Sequence, residues 1–433
     1  MERSVMQMLP EELLKFFESE GGHSLIIKGP PGSGKTTLAL EILENYRDKM
    51  DVLYISTRVA DQALLNQFPW AGSIERKEPI KKIGRRNLNI LEGLIEEGFV
   101  KENVEISENE AILEVGEMLP ELERIYEFVE GAEGSKVMVC VDSIDGLSEK
   151  YGIEPERILY AIQKDIVEPG FGNIIFVLEE TSTRAIDYLG DGIVELNHEP
   201  YGKFWKRILI IRKLRGSPIK RPRYLYTLRN GRFSTVEYQP VSLDSGIDIE
   251  NLTHFMKNHL KEGCMAIYIA DNFPVELVES IIISIAALSN ETMIMPPVFY
   301  PGSMLERHAD QYNVKVKIIG YGGDRREIYL EGSDIRMELS KDIVRYHGGE
   351  APTLILSVDA IEQVYGDIKT LPSLINELKT FARIVIIAQE AKLIGGVDRI
   401  LRLRMIEDLP VVESDRGHAF VIRGRSLELV SLE

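Results

Sequence analysis

A glycine-rich stretch near the N-terminus has the residue types and spacing for binding phosphate. It reads Gly29, Pro30, Pro31, Gly32, Ser33, Gly34, Lys35, Thr36 and Thr37, which contains the complete pattern G-x-x-x-x-G-K-T. Its glycines let successive backbone N–H groups turn toward an anion, and Lys35 would place a positive charge on the β- and γ-phosphates of a nucleotide. An apolar strand is predicted before it and a helix after it, as the motif requires. We therefore predict a phosphate-binding loop.

Two oxygen ligands complete a predicted metal site beside this loop. The hydroxyl of Thr36 suits Mg²⁺, which prefers oxygen ligands and keeps several waters. Asp142 ends the apolar run that begins at Lys136, and it would hold the ion through a water molecule. ATP and Mg²⁺ are thus the predicted cofactors. Adenine is favoured over guanine because the sequence contains no Asn-Lys-x-Asp motif.

Three carboxylates are candidates for activating the water that would attack the γ-phosphate. Asp145 follows the strand that ends at Asp142, while Glu179 and Glu180 follow the apolar run Ile174–Leu178. The carboxyl ends of parallel strands meet at one edge of a sheet, where such ligands bind. Each could instead be an ordinary surface carboxylate. The sequence therefore supports phosphate binding better than fast hydrolysis.

The segments around these motifs predict an α/β domain over residues 1–240. Short apolar strands alternate with helical stretches, which is typical of a parallel sheet covered on both faces. The strands are Ser24–Lys28, Val52–Ser56, Val137–Asp142 and Ile174–Leu178, and the helices include Lys35–Asp48 and Pro155–Glu168. Residues 238–245 are predicted to be a linker.

An acidic segment lies before the third of these strands. It contains 14 glutamates between Glu92 and Glu133 and only two basic residues. Apolar residues recur in it with a roughly helical period, at Leu113, Met118, Leu122, Ile125 and Val129. We predict a surface helix whose acidic face favours solubility over docking of a partner.

A basic stretch, Lys203–Arg232, contains 11 lysines or arginines and no acid. Its apolar alternation predicts a hairpin over Arg207–Leu228 with a turn at Gly216. It could be an intersubunit contact, a dock for an acidic partner, or a nucleic-acid surface with interleaved aromatic residues. We favour the intersubunit contact, since no known nucleic-acid-binding signature accompanies the stretch.

Residues 241–433 are predicted to form a second, degenerate copy of the first domain. Val358–Glu362 resembles Val141–Asp145, and two further pairs of segments follow in the same order. The turn between its first strand and first helix reads Asp271-Asn272-Phe273, without glycine or lysine. Asp271 would repel a phosphate, so no nucleotide is expected there.

Composition excludes several classes of protein. The 433 residues carry a formal net charge of −18, which argues against sequence-independent binding to nucleic acid. Two distant cysteines exclude a disulfide framework and fit a reducing compartment. No signal peptide is expected, and the longest apolar stretch, Ile281–Leu288, is too short to span a bilayer. A cytoplasmic protein is predicted.

The order of motifs over residues 9–235 resembles the KaiC/RadA-like branch of RecA-type ATPases. The resemblance implies a RecA-like P-loop NTPase core followed by a degenerate RecA-like α/β domain. It also implies that Lys213 and Arg215, in the stretch Leu209–Gly216, reach the nucleotide of a neighbouring subunit. A homo-oligomer such as a hexameric ring would follow.

Within this branch the sequence looks like archaeal GvpD-type P-loop proteins. The resemblance rests on Leu9–Glu12, Ser56–Val59 and Gln67–Trp70. It implies a regulatory protein, linked to control of gas-vesicle genes, that acts on a protein partner.

One departure from the KaiC-like pattern affects the predicted chemistry. Those ATPases carry paired glutamates just after the second strand, where this chain has Ser56-Thr57-Arg58. We therefore predict an Mg-ATP-dependent regulatory or assembly switch with slow hydrolysis. The alternatives are a nucleotide-gated scaffold without meaningful catalysis and, less favoured, a DNA-linked RadA-type ATPase.

Overall fold

The computed structural model describes residues 9–432 with several gaps. The gaps are residues 58–60, 74–91, 100–101, 108–109, 116–118, 133–134, 180–185, 237–247, 261–262, 325, 327, 347–351, 393 and 424–426.

The helices and strands alternate along most of the chain. The helices are α1 (Glu11–Glu18), α2 (Lys35–Tyr46), α3 (Asp61–Gln67), α4 (Glu92–Glu96), α5 (Pro120–Gly131), α6 (Ile144–Tyr151), α7 (Pro155–Ile162), α8 (Ile186–Leu189), α9 (Glu250–His259), α10 (Val275–Ala286), α11 (Gly302–Gln311), α12 (Ile335–Tyr346), α13 (Val358–Tyr365) and α14 (Leu371–Leu378). The strands are β1 (Ser24–Lys28), β2 (Asp51–Ser56), β3 (Glu102–Ser107), β4 (Glu110–Val115), β5 (Val137–Asp142), β6 (Gly172–Leu178), β7 (Gly192–Tyr201), β8 (Phe204–Leu214), β9 (Arg223–Thr227), β10 (Ser234–Val236), β11 (Cys264–Ile269), β12 (Thr292–Met295), β13 (Val316–Gly320), β14 (Ile328–Tyr329), β15 (Thr353–Ser357), β16 (Arg383–Gln389), β17 (Arg399–Ile406), β18 (Leu409–Ser414), β19 (Ala419–Arg423) and β20 (Glu428–Ser431).

The first large sheet has the strand order β10-β9-β8-β7-β1-β6-β5-β2. The strands from β7 to β2 pair in parallel, and β8 pairs antiparallel with β9. β1 lies in the middle, with Ser24 opposite Ile174 on β6 and Leu25 opposite Gly192 on β7. All of its residues are buried, because helices cover both faces of the sheet.

The second large sheet has the order β14-β13-β12-β15-β16-β11-β17-β18-β19-β20. Its run β12-β15-β16-β11-β17-β18 repeats the order β2-β5-β6-β1-β7-β8 of the first sheet. The strands are again parallel up to β17, and β17 pairs antiparallel with β18. The predicted fold class is thus confirmed: α/β, with two parallel-dominated sheets of related topology.

Each sheet separates two apolar layers. Around the first, one layer contains Phe16, Leu38 and Tyr54, and the other contains Tyr126 and Ile158. The second sheet likewise divides its core into two clusters. These buried layers fix the sheets and therefore the loops at their edges.

The acidic segment differs from the prediction of one helix. Leu113 lies in β4, which forms an antiparallel hairpin with β3, and Met118 lies outside the described residues. The helical period holds for Leu122, Ile125 and Val129, which are buried in α5. The prediction was wrong for the first part because isoleucine and valine alternating with glutamate over residues 102–115 also fit a two-residue strand period.

The chain divides into two compact units. One comprises Met1–Tyr201 and Trp205–Thr235, and the other comprises Gly202–Phe204 and Val236–Glu433. The predicted linker, 238–245, lies outside the described residues, so the division into domains 1–240 and 241–433 stays a prediction. No helix in the described part of the chain is long and apolar enough to cross a membrane.

Candidate functional site

The phosphate-binding loop connects the carboxyl end of β1 to the first turn of α2. Gly32 and Gly34 have φ angles of 77° and 91°, which side chains disfavour and glycine tolerates. A Cβ on Gly29 would lie 2.3 Å from the carbonyl oxygen of Leu196. Glycine is therefore required at Gly32 and Gly34 because of their φ angles, and at Gly29 because a side chain would not fit.

Side chains from β9 and from Leu228, which follows it, contact the loop. The Tyr226 hydroxyl donates a hydrogen bond to the carbonyl of Ser33. A Cβ on Gly34 would lie 2.8 Å from the Leu228 side chain. The Ser33 hydroxyl is buried and has no hydrogen-bond partner among the described residues. Pro31 and Gly32, at the tip, are exposed, so an anion could reach the loop.

The side chain of Lys35 folds back over the loop that precedes this residue. Its Nζ donates hydrogen bonds to the carbonyls of Gly29 at 2.7 Å and Pro30 at 3.1 Å. The residue is buried, so its charge is concentrated at the loop rather than in solvent. Thr37, also predicted to contact nucleotide, is buried on α2.

Thr36 and Asp142 meet beside the loop. The Thr36 hydroxyl donates to Asp142 Oδ2 at 2.6 Å, although 106 residues separate the two along the chain. The hydroxyl and the carboxylate both offer hard oxygen atoms, which are the ligands that Mg²⁺ prefers. The residues present therefore fit the metal that the motif implies.

Tyr54 is a further member of this group that the sequence did not reveal. It lies on β2, and its hydroxyl donates to the same Asp142 Oδ2 at 2.7 Å. β2 pairs with β5 so that Ser56 is opposite Asp142. The only signal in the sequence was a tyrosine within an otherwise apolar strand, which is common in sheet cores.

The candidate carboxylates lie near the same edge of the sheet. Asp145, in the first turn of α6, accepts a hydrogen bond through Oδ2 from the Glu179 backbone N–H at 2.7 Å. Asp145 and Glu179 are thus brought together at the ends of β5 and β6. Glu180 lies outside the described residues. The assignment of any of them to water activation stays a prediction.

Lys213 and Arg215 both contact the segment that precedes β7, residues 187–191. Lys213 Nζ donates to the Gly190 carbonyl at 2.6 Å, and Arg215 forms an ion pair with Asp191 at 2.8 Å. Asp191 in turn accepts from the backbone N–H of Ser24, the first residue of β1. Burial, followed by the nearby Arg215 guanidinium, lowers the pKa of Lys213.

Residues 187–191 of the same chain hold both cations in this structure. The described contacts of Lys213 and Arg215 do not include the phosphate-binding loop. Their assignment to the nucleotide of a neighbouring subunit stays a prediction.

Comparison with known proteins agrees with the P-loop that the sequence motif predicts. Residues 13–215 match the family model described as GvpD gas vesicle protein, P-loop domain. Protein GvpD2 of Halobacterium salinarum is 25% identical over 249 residues, covering 54% of this chain and 45% of the relative. Protein GvpD1 of the same organism is 26% identical over 245 residues, covering 54% of this chain and 42% of the relative.

One match among solved structures is the KaiC-like protein PH0186 from Pyrococcus horikoshii OT3. It has a TM-score of 0.35 and 17% identity, and the match covers 50% of this chain and 90% of that protein. The chain spans less than half the length of the curated relatives that it matches. The predicted resemblance to GvpD-type P-loop proteins is confirmed over residues 13–215.

Proposed function

We propose that this chain binds Mg-ATP at its P-loop, hydrolyses it slowly and uses the bound nucleotide as a switch for a protein contact. The observation that carries the proposal is the convergence of Lys35, Thr36 and Asp142 at one end of β1. Three groups that bind phosphate or Mg²⁺ in P-loop proteins share this edge of the sheet.

Each residue has a role that follows from its position. The backbone N–H groups of the loop would bind the phosphates together with the positive end of α2. Lys35 would exchange its bonds to the Gly29 and Pro30 carbonyls for the β- and γ-phosphates. Thr36 and Asp142 would hold Mg²⁺, which when bound neutralises charge between those phosphates.

Slow hydrolysis follows from the carboxylates near the site. The end of β2 contributes Ser56 and Thr57, neither of which can act as a general base at neutral pH. The Asp145 carboxylate accepts a hydrogen bond from the Glu179 backbone N–H, so one of its oxygens is already engaged. The same observation favours the second candidate, a nucleotide-gated scaffold without turnover.

We propose further that the active form is a homo-oligomer, such as a hexameric ring. The support is that the described contacts of Lys213 and Arg215 are with residues 187–191 and not with the phosphate-binding loop of their own chain. The Arg215 side chain is 65% exposed, so a neighbouring subunit could meet it. A cation aimed at the γ-phosphate stabilises the charge that develops there.

The partner is proposed from the relatives. Because the matched family is described as a gas vesicle protein, we propose a regulatory protein contact in the control of gas vesicles. We also propose that the protein is cytoplasmic and that it divides into domains 1–240 and 241–433. A nucleic-acid partner is disfavoured by the net charge of −18.

The first test is phosphate release from Mg-ATP over a range of protein concentrations. Lys35→Ala should abolish turnover, while Lys150→Ala, which alters an exposed lysine of the same unit, should leave it unchanged. Activity per chain should rise with concentration if subunits complete each other's sites. Binding of ATP without turnover above the Lys35→Ala background would leave the scaffold function.

A mixing experiment tests the intersubunit contact directly. Lys35→Ala and Arg215→Ala should each be inactive alone, because one lacks the phosphate contact and the other the contribution to its neighbour. Mixed in equal amounts, they should regain about a quarter of wild-type activity, since one interface in four joins an intact loop to an intact Arg215. No recovery would contradict a contact across subunits.

A further inference from the structure

We infer that Tyr54 is a positioning residue for the metal-binding carboxylate of Asp142. The inference rests on the proposed function, because it concerns the Mg²⁺ that Thr36 and Asp142 would hold. Tyr54 would contact neither nucleotide nor ion; it would act through the carboxylate.

The two hydroxyls that reach Asp142 act on one oxygen. Thr36 and Tyr54 donate to Oδ2 at 2.6 and 2.7 Å, and no residue that the structure describes donates to Oδ1. This arrangement leaves Oδ1 as the acceptor for a water molecule in the coordination sphere of the metal. The carboxylate is therefore oriented before any ion binds.

The contribution of Tyr54 does not depend on the loss of the Thr36 hydrogen bond. A Thr36 hydroxyl that ligated Mg²⁺ through an oxygen lone pair would keep its O–H for Asp142. Tyr54 would then be the second of two donors that fix Oδ2. Its ring is only 2% exposed and belongs to the apolar core beside α2, so packing fixes the position of its hydroxyl.

The end of the same strand fixes the backbone beneath the carboxylate. The Thr57 backbone N–H donates to the Asp142 carbonyl at 2.8 Å. The Thr57 hydroxyl accepts from the Ser143 N–H at 3.0 Å and donates to the Ser143 carbonyl at 2.9 Å. β2 thus holds both the main chain and the side chain of Asp142, with Tyr54 responsible for the side chain.

Removing such a donor should weaken metal binding specifically. Residues that orient a ligand typically contribute about 10- to 100-fold in metal affinity or activity. Tyr54→Phe deletes the hydroxyl and keeps the packed ring. Tyr46→Phe is the matched control, because it deletes another buried hydroxyl of this unit, one that donates to the Leu14 carbonyl at 2.7 Å.

The experiment measures binding of a fluorescent ATP analogue to the full chain, in EDTA and along a Mg²⁺ titration. Tyr54→Phe should raise the half-saturating Mg²⁺ concentration at least about tenfold and leave the affinity in EDTA unchanged. Tyr46→Phe should match wild type in both. The affinity in EDTA also reports that the loop of each variant is folded.

Two results would overturn the inference. One is an unchanged Mg²⁺ titration for Tyr54→Phe, and the other is an equal loss of affinity with and without Mg²⁺. A wild-type chain that binds no nucleotide would instead contradict the proposed function itself, so the two failures are distinguishable.

Discussion

The two large sheets of this chain share a strand order but differ at the turn that follows their central strand. After β1 comes the P-loop, with glycines at the positions that need left-handed or crowded backbone. After β11 the chain passes through exposed Asp271 and Asn272 and buried Phe273 before α10 begins. A buried phenylalanine anchors this second turn in the core. The first turn, by contrast, exposes its backbone to a ligand.

The sheets differ again at the second strand from the central one, which is β5 in the first sheet and β15 in the second. By strand register, Asp142 on β5 is opposite Val177 on β6, and Ser357 on β15 is opposite Ile387 on β16. Val177 and Ile387 occupy equivalent places relative to β1 and β11. Ser357 therefore takes the place of Asp142.

Features that build the sheets are common to both. Ser143 caps α6 by accepting from the Gly146 N–H, and Ser357 caps α13 by accepting from the Ala360 N–H. Asp191 accepts from the first backbone N–H of β1, and Asp398 accepts from that of β11. The comparison teaches that these residues that stabilise the sheets occur in both units. The P-loop glycines and Asp142 are replaced at the equivalent described positions of the second.

The largest difference in stability should come from the two aspartates that hold the central strands. Asp191→Ala removes a buried acceptor of hydrogen bonds from Ser24 and Gln163, at a cost of about 3 kcal/mol. Asp398→Ala removes a half-exposed carboxylate that water can replace, at about 1 kcal/mol. Hydrogen exchange of peptides covering β1 and β11 measures each loss separately. Equal losses would show that the two aspartates are equivalent after all.

A reciprocal exchange tests whether chemistry resides in one unit. Asp142→Ser should weaken Mg²⁺-dependent nucleotide binding by about 10- to 100-fold, measured by titration with Mg²⁺. Ser357→Asp should create no binding, because the turn after β11 cannot hold phosphate. It should lower stability by at least about 2 kcal/mol, because Ser357 is buried and the substitution places a carboxylate in the core. Nucleotide binding gained by Ser357→Asp would overturn the distinction.

Glycine substitutions separate backbone strain from loss of function. Gly34→Ala forces a side chain into a φ of 91° and toward Leu228, with a cost of about 1–2 kcal/mol, which should lower nucleotide affinity roughly tenfold. Gly152→Ala carries similar strain at a φ of 67° but meets open space after α6. It should lower stability alone. Calorimetric titration with ATP and thermal melting distinguish the two effects.

The smallest expected effect is a pH dependence in the second unit. The hydrogen bond from the Cys264 backbone N–H, followed by Lys379, lowers the pKa of Asp398. Its folded pKa lies below that of the unfolded chain, so its stabilisation is present at neutral pH and is lost as the pH falls through the folded value. In urea denaturation, the stability difference between wild type and Asp398→Asn should therefore shrink as the pH falls below about 4. A difference that stays constant as the pH is lowered through the acid range would contradict this origin.

The sequence by itself determined the alternating α/β pattern and the P-loop. Both depend on local spacing: β1 and β5 follow short apolar runs, and the motif from Gly29 to Thr36 needs only adjacent residues. The second unit's missing P-loop could be read in the same way. For the acidic segment the period was ambiguous, because few apolar residues lay among the glutamates, and the β3–β4 hairpin was missed.

Only the tertiary structure decided which distant groups meet. Tyr54 and Thr36 reach the same oxygen of Asp142 because β2 pairs with β5 while α2 follows β1 in the middle of the sheet. Lys213 and Arg215 reach residues 187–191 because the end of β8 lies beside the start of β7. Strand pairing joins residues that are far apart in sequence, and its register sets side-chain positions that no local pattern encodes.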